Sequence, residues 1–190
     1  MGGDLAYGNG FAACYQRWDD WLKFLEENLV TSEGNMIPLL ASIGNHEAGG
    51  FAKVGELDEP FYKAYFVHEP LLGRSPFDLT RYSSHLLGSN SMIVALDTGV
   101  IESISGSQKI WMKEELKEHK ERKVKFAIYH AGLYPSVRPY SGEIHTRLRV
   151  HWLPIFDRYN LTVGLENHDH AYKRTIPLSN GKKTSSGFYF

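Results

Sequence analysis

Met36-Ile37-Pro38-Leu39-Leu40-Ala41-Ser42-Ile43-Gly44-Asn45-His46-Glu47 is the stretch on which the fold turns: an apolar run that stops abruptly in a polar cluster. A short, continuous apolar run of this kind is what a strand buried on both faces presents. The same layout recurs twice downstream. Val124-Lys125-Phe126-Ala127-Ile128-Tyr129 ends at His130, and the run 161–165 ends at Glu166-Asn167-His168-Asp169-His170.

Between these runs the periodicity is helical. Residues 13–29 place Trp18, Trp21, Leu22, Leu25 and Leu29 at three- and four-residue spacing, and 107–119 form a second amphipathic segment. Residues 145–159 read as a helix that Pro154 should kink or split, because proline gives the ladder no N–H. A strand pair is expected over 81–87 and 91–97 across Gly88-Ser89-Asn90. A further strand is expected over 171–177, followed by a hairpin turn at Asn180-Gly181. Residues 51–80 lack periodicity and predict a long excursion with one helical turn near 61–65. Strands alternating with helices make this a layered α/β domain, and in such sheets ligands gather where loops leave the strand ends.

The bulk numbers narrow the chemistry. The 190 residues fit one domain, with 42% hydrophobic and 23% charged residues. A net charge of −1 offers no basic field for nucleic acid or an anionic membrane, and no run reaches the roughly 18 apolar residues of a membrane span. The one cysteine, Cys14, excludes an internal disulfide and a Cys-rich zinc site, and reads as a small buried residue. Both ends look cut. Met1-Gly2-Gly3-Asp4 enters directly into a polar motif, and Gly187-Phe188-Tyr189-Phe190 reads as the middle of a strand, so a fragment of a longer protein is expected.

Separate segments thus bring carboxylate, phenol, amide and imidazole donors: Asp4 with Tyr7, Asn45 with His46, His130, and His168 with His170. Without thiolate, that mixture suits Fe, Mn or Zn. It is too large for one tetrahedral ion and sufficient for two, the arrangement that clamps a phosphoryl group. Each motif alone also has a plainer reading as a turn, cap or surface residue. Their joint occurrence is what carries the inference.

Those motifs make the chain resemble the calcineurin-like metallophosphoesterases and, within them, the purple acid phosphatases. The resemblance rests on Gly3-Asp4-Leu5-Ala6-Tyr7, Gly44-Asn45-His46-Glu47, Tyr129-His130, and Asn167-His168-Asp169-His170. It covers essentially the whole chain as a single domain, 1–190, and Tyr7 is what points to the purple subgroup. The resemblance implies a central β-sandwich flanked by helices, with the first and the C-terminal strands truncated. It also implies that Asp4 bridges two ions. Tyr7 and His170 would hold Fe(III), and Asn45, His130 and His168 would hold a divalent Zn, Mn or Fe. His46 would face the phosphate and assist the leaving group, while a metal-activated water attacks phosphorus. The expected substrate is a small phosphate monoester, and the expected location is exported or lysosome-like.

Three features depart from the family pattern. Its Asp-x-Gly block would lie before Met1, which leaves the first ion one carboxylate short. Asn167 replaces the usual glycine. Pro139 and Tyr140 stand where plant-type members carry a histidine pair, so substrate contacts are assigned instead to Arg138 and Tyr134, with His145 and His151 as weaker candidates. Asp97 reads as a cap or turn carboxylate, His68, His85 and His119 as surface residues, and Lys173 and Arg174 as either solvated or a source of positive potential. Asn160-Leu161-Thr162 matches the glycosylation pattern. Phosphodiester or nucleotide hydrolysis, and metal or phosphate binding without turnover, are the alternative functions.

Overall fold

The structure is a computed structural model that describes residues 1–49, 59–66 and 81–190. Four strands form its main sheet: β1 (Ser83–Leu87), β2 (Ser91–Leu96), β3 (Val124–Tyr129) and β4 (Val163–Glu166), in the order β1-β2-β3-β4. The β1–β2 pair is antiparallel, and β2–β3 and β3–β4 are parallel. Parallel neighbours need crossover connections, and helices supply them. α4 (Ser107–Glu118) joins β2 to β3, and α5 (Glu143–His151) with α6 (Leu153–Arg158) joins β3 to β4. Upstream lie α1 (Tyr15–Asn28), entered through a 3-10 turn at Ala12–Cys14, and the one-turn helices α2 (Asn45–Ala48) and α3 (Tyr62–Tyr65).

Alternation along the strands builds the core. Met92, Val94 and Leu96 of β2 and Ala127 and Tyr129 of β3 share a cluster with Met112 and Leu116 of α4. Leu148, Trp152, Ile155 and Phe156 of the α5–α6 segment join it, and the Trp152 indole N–H donates to Ile104 O at 2.9 Å. The interruption at Pro154 falls as expected: α5 ends at His151 and α6 restarts with proline in its first turn, where a missing N–H costs no ladder bond. A second cluster gathers Leu5, Ala6, Ala41, Ile43 and Ala48 around Trp18 of α1. Of the apolar positions that marked α1, Trp18 and Leu25 are fully buried.

Register aligns the strand ends. Leu96 faces Tyr129, and Tyr129 faces Glu166, so the chain leaves β2, β3 and β4 at one edge of the sheet. Asp97, His130 and the 167–170 segment therefore emerge side by side.

Two expected strands do not form ladders. The 36–41 run is extended, with an isolated bridge from Met36 to Val30 and two bonds to the first residue, Ser42 N–H to Met1 O at 2.9 Å and the Met1 amine to Leu40 O at 2.6 Å. Pro38 removes one donor from it. The 171–177 segment is irregular. Its side chains at Tyr172 and Ile176 are 96% and 52% exposed, so their apolar character reflects no buried face. The hairpin after it does form. β5 (Leu178–Ser179) and β6 (Lys182–Lys183) pair across Asn180 and Gly181 at φ 49° and 72°, the positive-φ pair of a type I′ turn. Cys14 is half-buried at the start of α1 instead of fully enclosed. The α3 turn matches the expectation near 61–65, and the remainder of the 51–80 excursion, His68 included, lies outside the described residues, apart from 59, 60 and 66.

Candidate metal centre

Asp4 sits where two backbones touch. A Cβ on Gly44 would lie 2.4 Å from both Asp4 N and Asp4 Oδ1, and one on Gly3 (φ 85°) would lie 2.5 Å from Gly44 N. Both positions must be glycine for the 2–5 segment to approach the 43–45 turn. Glu47, almost fully buried, fastens that approach. Its carboxylate accepts the N–H groups of Leu5 at 2.6 Å, Gly44 at 2.7 Å and Asp4 at 2.8 Å. Burial nevertheless outweighs these bonds and pushes its carboxyl up to about 7.

The Asp4 side chain then meets donors from two other segments. Its Oδ1 accepts His46 N–H at 3.0 Å, and its Oδ2 lies 3.2 Å from His130 Nε2. Desolvation opposes its charge, yet the bond and charge of His130 and the His46 amide hold its carboxyl below the ordinary range. Asn45 Oδ1 lies 2.9 Å from the same His130 Nε2. His130 Nδ1–H donates to Gly2 O at 2.8 Å, an outer bond of the kind that fixes a ligating imidazole's tautomer and ring angle. With Nδ1 committed, Nε2 is the nitrogen aimed at the Asp4 and Asn45 oxygens.

His168 completes the group, its ring centroid 4.6 Å from that of His130. Ligand-type atoms of Asp4, His130 and His168 all lie within 4.8 Å of one another. Desolvation first, then the neighbouring His130, pushes the His168 imidazole down to about 4, so at neutral pH the ring is uncharged and one of its nitrogens offers a lone pair. A buried carboxylate, an amide oxygen and two imidazoles converging on one point suit a Zn-, Mn- or Fe-class ion. The residues fit the metal that the sequence implied.

Tyr7 and His170 form a second pair in the same cleft as Asp4, His130 and His168. The Tyr7 hydroxyl meets His170 Nε2 at 3.2 Å. Burial, then the charges of Asp4 and Glu47, raise its phenol above the usual value, so only a cation there would favour phenolate. The His46 ring lies against Tyr7, tilted by 30° with 4.3 Å between ring centroids, and its Nδ1–H donates to Asn9 Oδ1 at 2.5 Å. Backbone strain concentrates at this place. Of the seven non-glycine residues with positive φ among the described residues, four are Asp4, Tyr7, His168 and His170. Each such conformation costs on the order of 1 kcal/mol or more, and strain of that kind collects where geometry serves a ligand.

Arg138 and Tyr134, read from sequence as substrate contacts, have other partners. Arg138 donates to His168 O at 2.7 Å and to Asp169 Oδ1 at 3.0 Å, bracing the ligand loop. The Tyr134 ring packs 4.8 Å from Phe190, and its hydroxyl lies beside Gly181 of the hairpin. Neither lines the cleft. His145 is buried and donates to Gly132 O at 2.6 Å, while His151 takes a bond from Lys109 Nζ at 3.4 Å. Asp97 is a turn carboxylate, accepting the N–H groups of Val100, Ile101 and Glu102 at 2.6–2.8 Å.

Sequence reasoning gave no role to Glu47, Asn9 or Asp169. Glu47 stood inside a quoted motif, and a carboxylate three residues after a glycine turn could have been read as an acceptor for it. Asp169 accepts Ser136 N–H at 2.5 Å and Val137 N–H at 2.9 Å. Desolvation resists its charge, but these bonds and Arg138 draw its carboxyl down to about 2. Nothing in the sequence marks that contact across more than thirty positions.

Comparison with known proteins agrees with the geometry. Residues 1–172 match the family model described as calcineurin-like phosphoesterase. The Fe(3+)-Zn(2+) purple acid phosphatase 12 of Arabidopsis thaliana is 27% identical over 183 residues, covering 94% of this chain and 37% of that protein. A phosphoenolpyruvate phosphatase of Allium cepa is 29% identical over 191 residues, covering 94% and 36%. The chain thus spans little more than a third of the length of these curated relatives. The purple acid phosphatase PPD1 of yellow lupin seeds superposes with a TM-score of 0.67 at 20% identity, over 96% of this chain and 32% of that one, a likeness of fold. The metal-type cluster at the strand ends, the layered α/β sheet and the family match over 1–172 place the chain in the calcineurin-like phosphoesterase family.

Proposed function

We propose that the chain forms the two-metal centre of a phosphate monoester hydrolase. One observation carries the proposal: Asp4 Oδ2 and Asn45 Oδ1 meet at His130 Nε2, with His168 beside them and the Tyr7–His170 pair in the same cleft. Asp4, which meets His130 and lines the same cleft as Tyr7 and His170, would be shared by both ions. Asn45, His130 and His168 are assigned to a divalent Zn, Mn or Fe, and Tyr7 with His170 to Fe(III). When bound, such ions offset the charge of phosphate oxygens and acidify an attacking water.

The chain's own residues supply the rest. Glu47 and the Gly3–Gly44 contact hold Asp4 in place. Asn9 occupies His46 Nδ1, which leaves Nε2 as the nitrogen able to face a substrate. Protonated there, His46 donates to the leaving oxygen and stabilises the departing alkoxide. No helix among the described residues is long and apolar enough to cross a membrane. The extracytoplasmic location implied by the resemblance belongs to the same proposal.

The test is turnover by the chain loaded with Fe(III) and Zn(II). Release of phosphate from 4-nitrophenyl phosphate, faster than cleavage of the bis ester, supports the proposal. Faster cleavage of the bis ester points to a phosphodiesterase. No turnover of either ester by fully metallated protein overturns the proposal in favour of binding alone.

A further inference from the structure

The ligand loop 167–170 is closed at its base by charge. Glu166, the last residue of β4, and Lys173 form an ion pair across it, with side chains 0% and 15% exposed. Glu166 Oε1 also accepts Leu133 N–H at 2.5 Å and the Tyr129 hydroxyl at 3.1 Å, and Oε2 accepts Tyr134 N–H at 3.2 Å. The Lys173 ammonium donates in addition to Tyr134 O. Room for this arrangement exists because residue 132 is glycine: a Cβ there would lie 2.6 Å from Glu166 Oε2.

Two alternatives fail on these contacts. Glu166 borders the cleft, yet both its oxygens are occupied by four donors, so it is not a further metal ligand. Lys173 cannot serve as a free cation toward phosphate while it is held by Glu166 and by a carbonyl. A buried ion pair is also a poor source of stability, since desolvation takes back most of its attraction. Its placement offers a better reason for it. Glu166 touches the end of β3, the loop that follows His130 and, through Lys173, the far side of the loop bearing His168 and His170. It joins the two ligand-bearing segments that come from β3 and β4.

The geometry points to Glu166 and Lys173 as positioning residues, a clasp that presets His130, His168 and His170 for metal. This rests on the metal-centre proposal and adds to it that affinity depends on a charge pair which touches no ligand nitrogen. Outer groups of this kind change metal affinity by about 10–100-fold.

The experiment is calorimetric titration of the metal-free chain with Zn²⁺, alongside Glu166→Gln, Lys173→Met, the double variant and Lys173→Arg, each checked for native near-UV dichroism. Glu166→Gln and Lys173→Met should each bind Zn²⁺ at least 10-fold more weakly. The double variant should lose no more than the weaker single, and Lys173→Arg should bind within a few fold of wild type. Wild-type affinity in the folded singles overturns the clasp, as do losses that simply add in the double variant. Tighter binding by Lys173→Met also overturns it, because Glu166 would then act on the ions as an unmasked charge. Should Glu166→Gln not fold, Lys173→Met against Lys173→Arg decides. Equal affinity in those two removes the clasp, and loss in the former alone supports it. A wild type that binds no Zn²⁺ removes the metal centre and the clasp together, whereas tight wild-type binding with unaffected variants removes the clasp alone.

Discussion

The hydroxyl of Tyr7 lies 3.2 Å from Nε2 of His170, although 163 positions separate them in the chain. A phenol at the N-terminal turn and an imidazole beyond β4 meet in a cleft that Asp4 and His130 also line. Tyr7 and His170 both carry positive φ, so neither reaches this place by relaxed backbone geometry.

Tyr7 gives the first prediction. Its phenol stands above the ordinary value, raised by burial and by the charges of Asp4 and Glu47, so ionisation should come only with metal. Loading with Fe(III) should produce a visible phenolate-to-iron band, and Tyr7→Phe should abolish that band without lowering the melting temperature of the metal-free chain. A band that survives in Tyr7→Phe removes the tyrosine from the centre.

Gly44→Ala should disrupt the site by crowding alone, since φ at this position is an ordinary −114°. The new methyl would lie 2.4 Å from Asp4 N, a backbone atom held by Glu47. A loss of about 1–3 kcal/mol is expected for overpacking of this sort. Urea unfolding measures it, and an unchanged midpoint would show that the two backbones can separate at little cost.

Arg138 separates bracing from substrate contact. Hydrogen bonds to charged partners are worth about 1.5–3 kcal/mol, and a side chain 38% exposed deserves a discount, so Arg138→Ala should cost about 1–2 kcal/mol. Zn²⁺ affinity should fall as the His168 carbonyl loses its donor. A raised KM with unchanged stability and unchanged metal affinity would return Arg138 to the phosphate.

Asp97 sets a pH dependence. Burial raises its carboxyl from 3.8 to about 6 despite three backbone N–H bonds, with the Glu102 carboxylate adding to the rise. Asp97 is also among the charges that raise the buried Tyr62 phenol. The folded state therefore binds the proton more tightly than the unfolded chain does. The stability it contributes is complete below about pH 4 and is lost as pH climbs through about 6, a change on the order of 2–3 kcal/mol. Asp97→Asn should flatten that part of the pH–stability curve of the metal-free chain. Parallel curves for the two proteins would contradict the assignment.

Much of this was legible in the sequence where one residue type has one physical consequence. Pro154 divides α5 from α6, Asn180-Gly181 makes the hairpin turn, and an apolar run stopping at His130 marks β3. Apolar content misled where a run lacks a ladder partner. Among the described residues, 36–41 are extended with one isolated bridge and 171–177 are irregular, so neither forms a ladder. Of the candidate ligands, all legible as motifs, Asp4, Tyr7, His130, His168 and His170 line one cleft, and Asn45 lies against His130. Their supports were not legible. Arg138 and Asp169, or Glu166 and the 133–134 amides, are joined by register between β3 and β4, which no local pattern encodes.

Metal content of the purified chain against Asp4→Asn tests the central claim most directly. On the proposed assignment Asp4 serves both ions, so after loading with Fe(III) and Zn(II) and dialysis, wild type should retain two ions per chain and Asp4→Asn, still folded, neither. A variant that keeps both ions would contradict the two-metal centre built on Asp4.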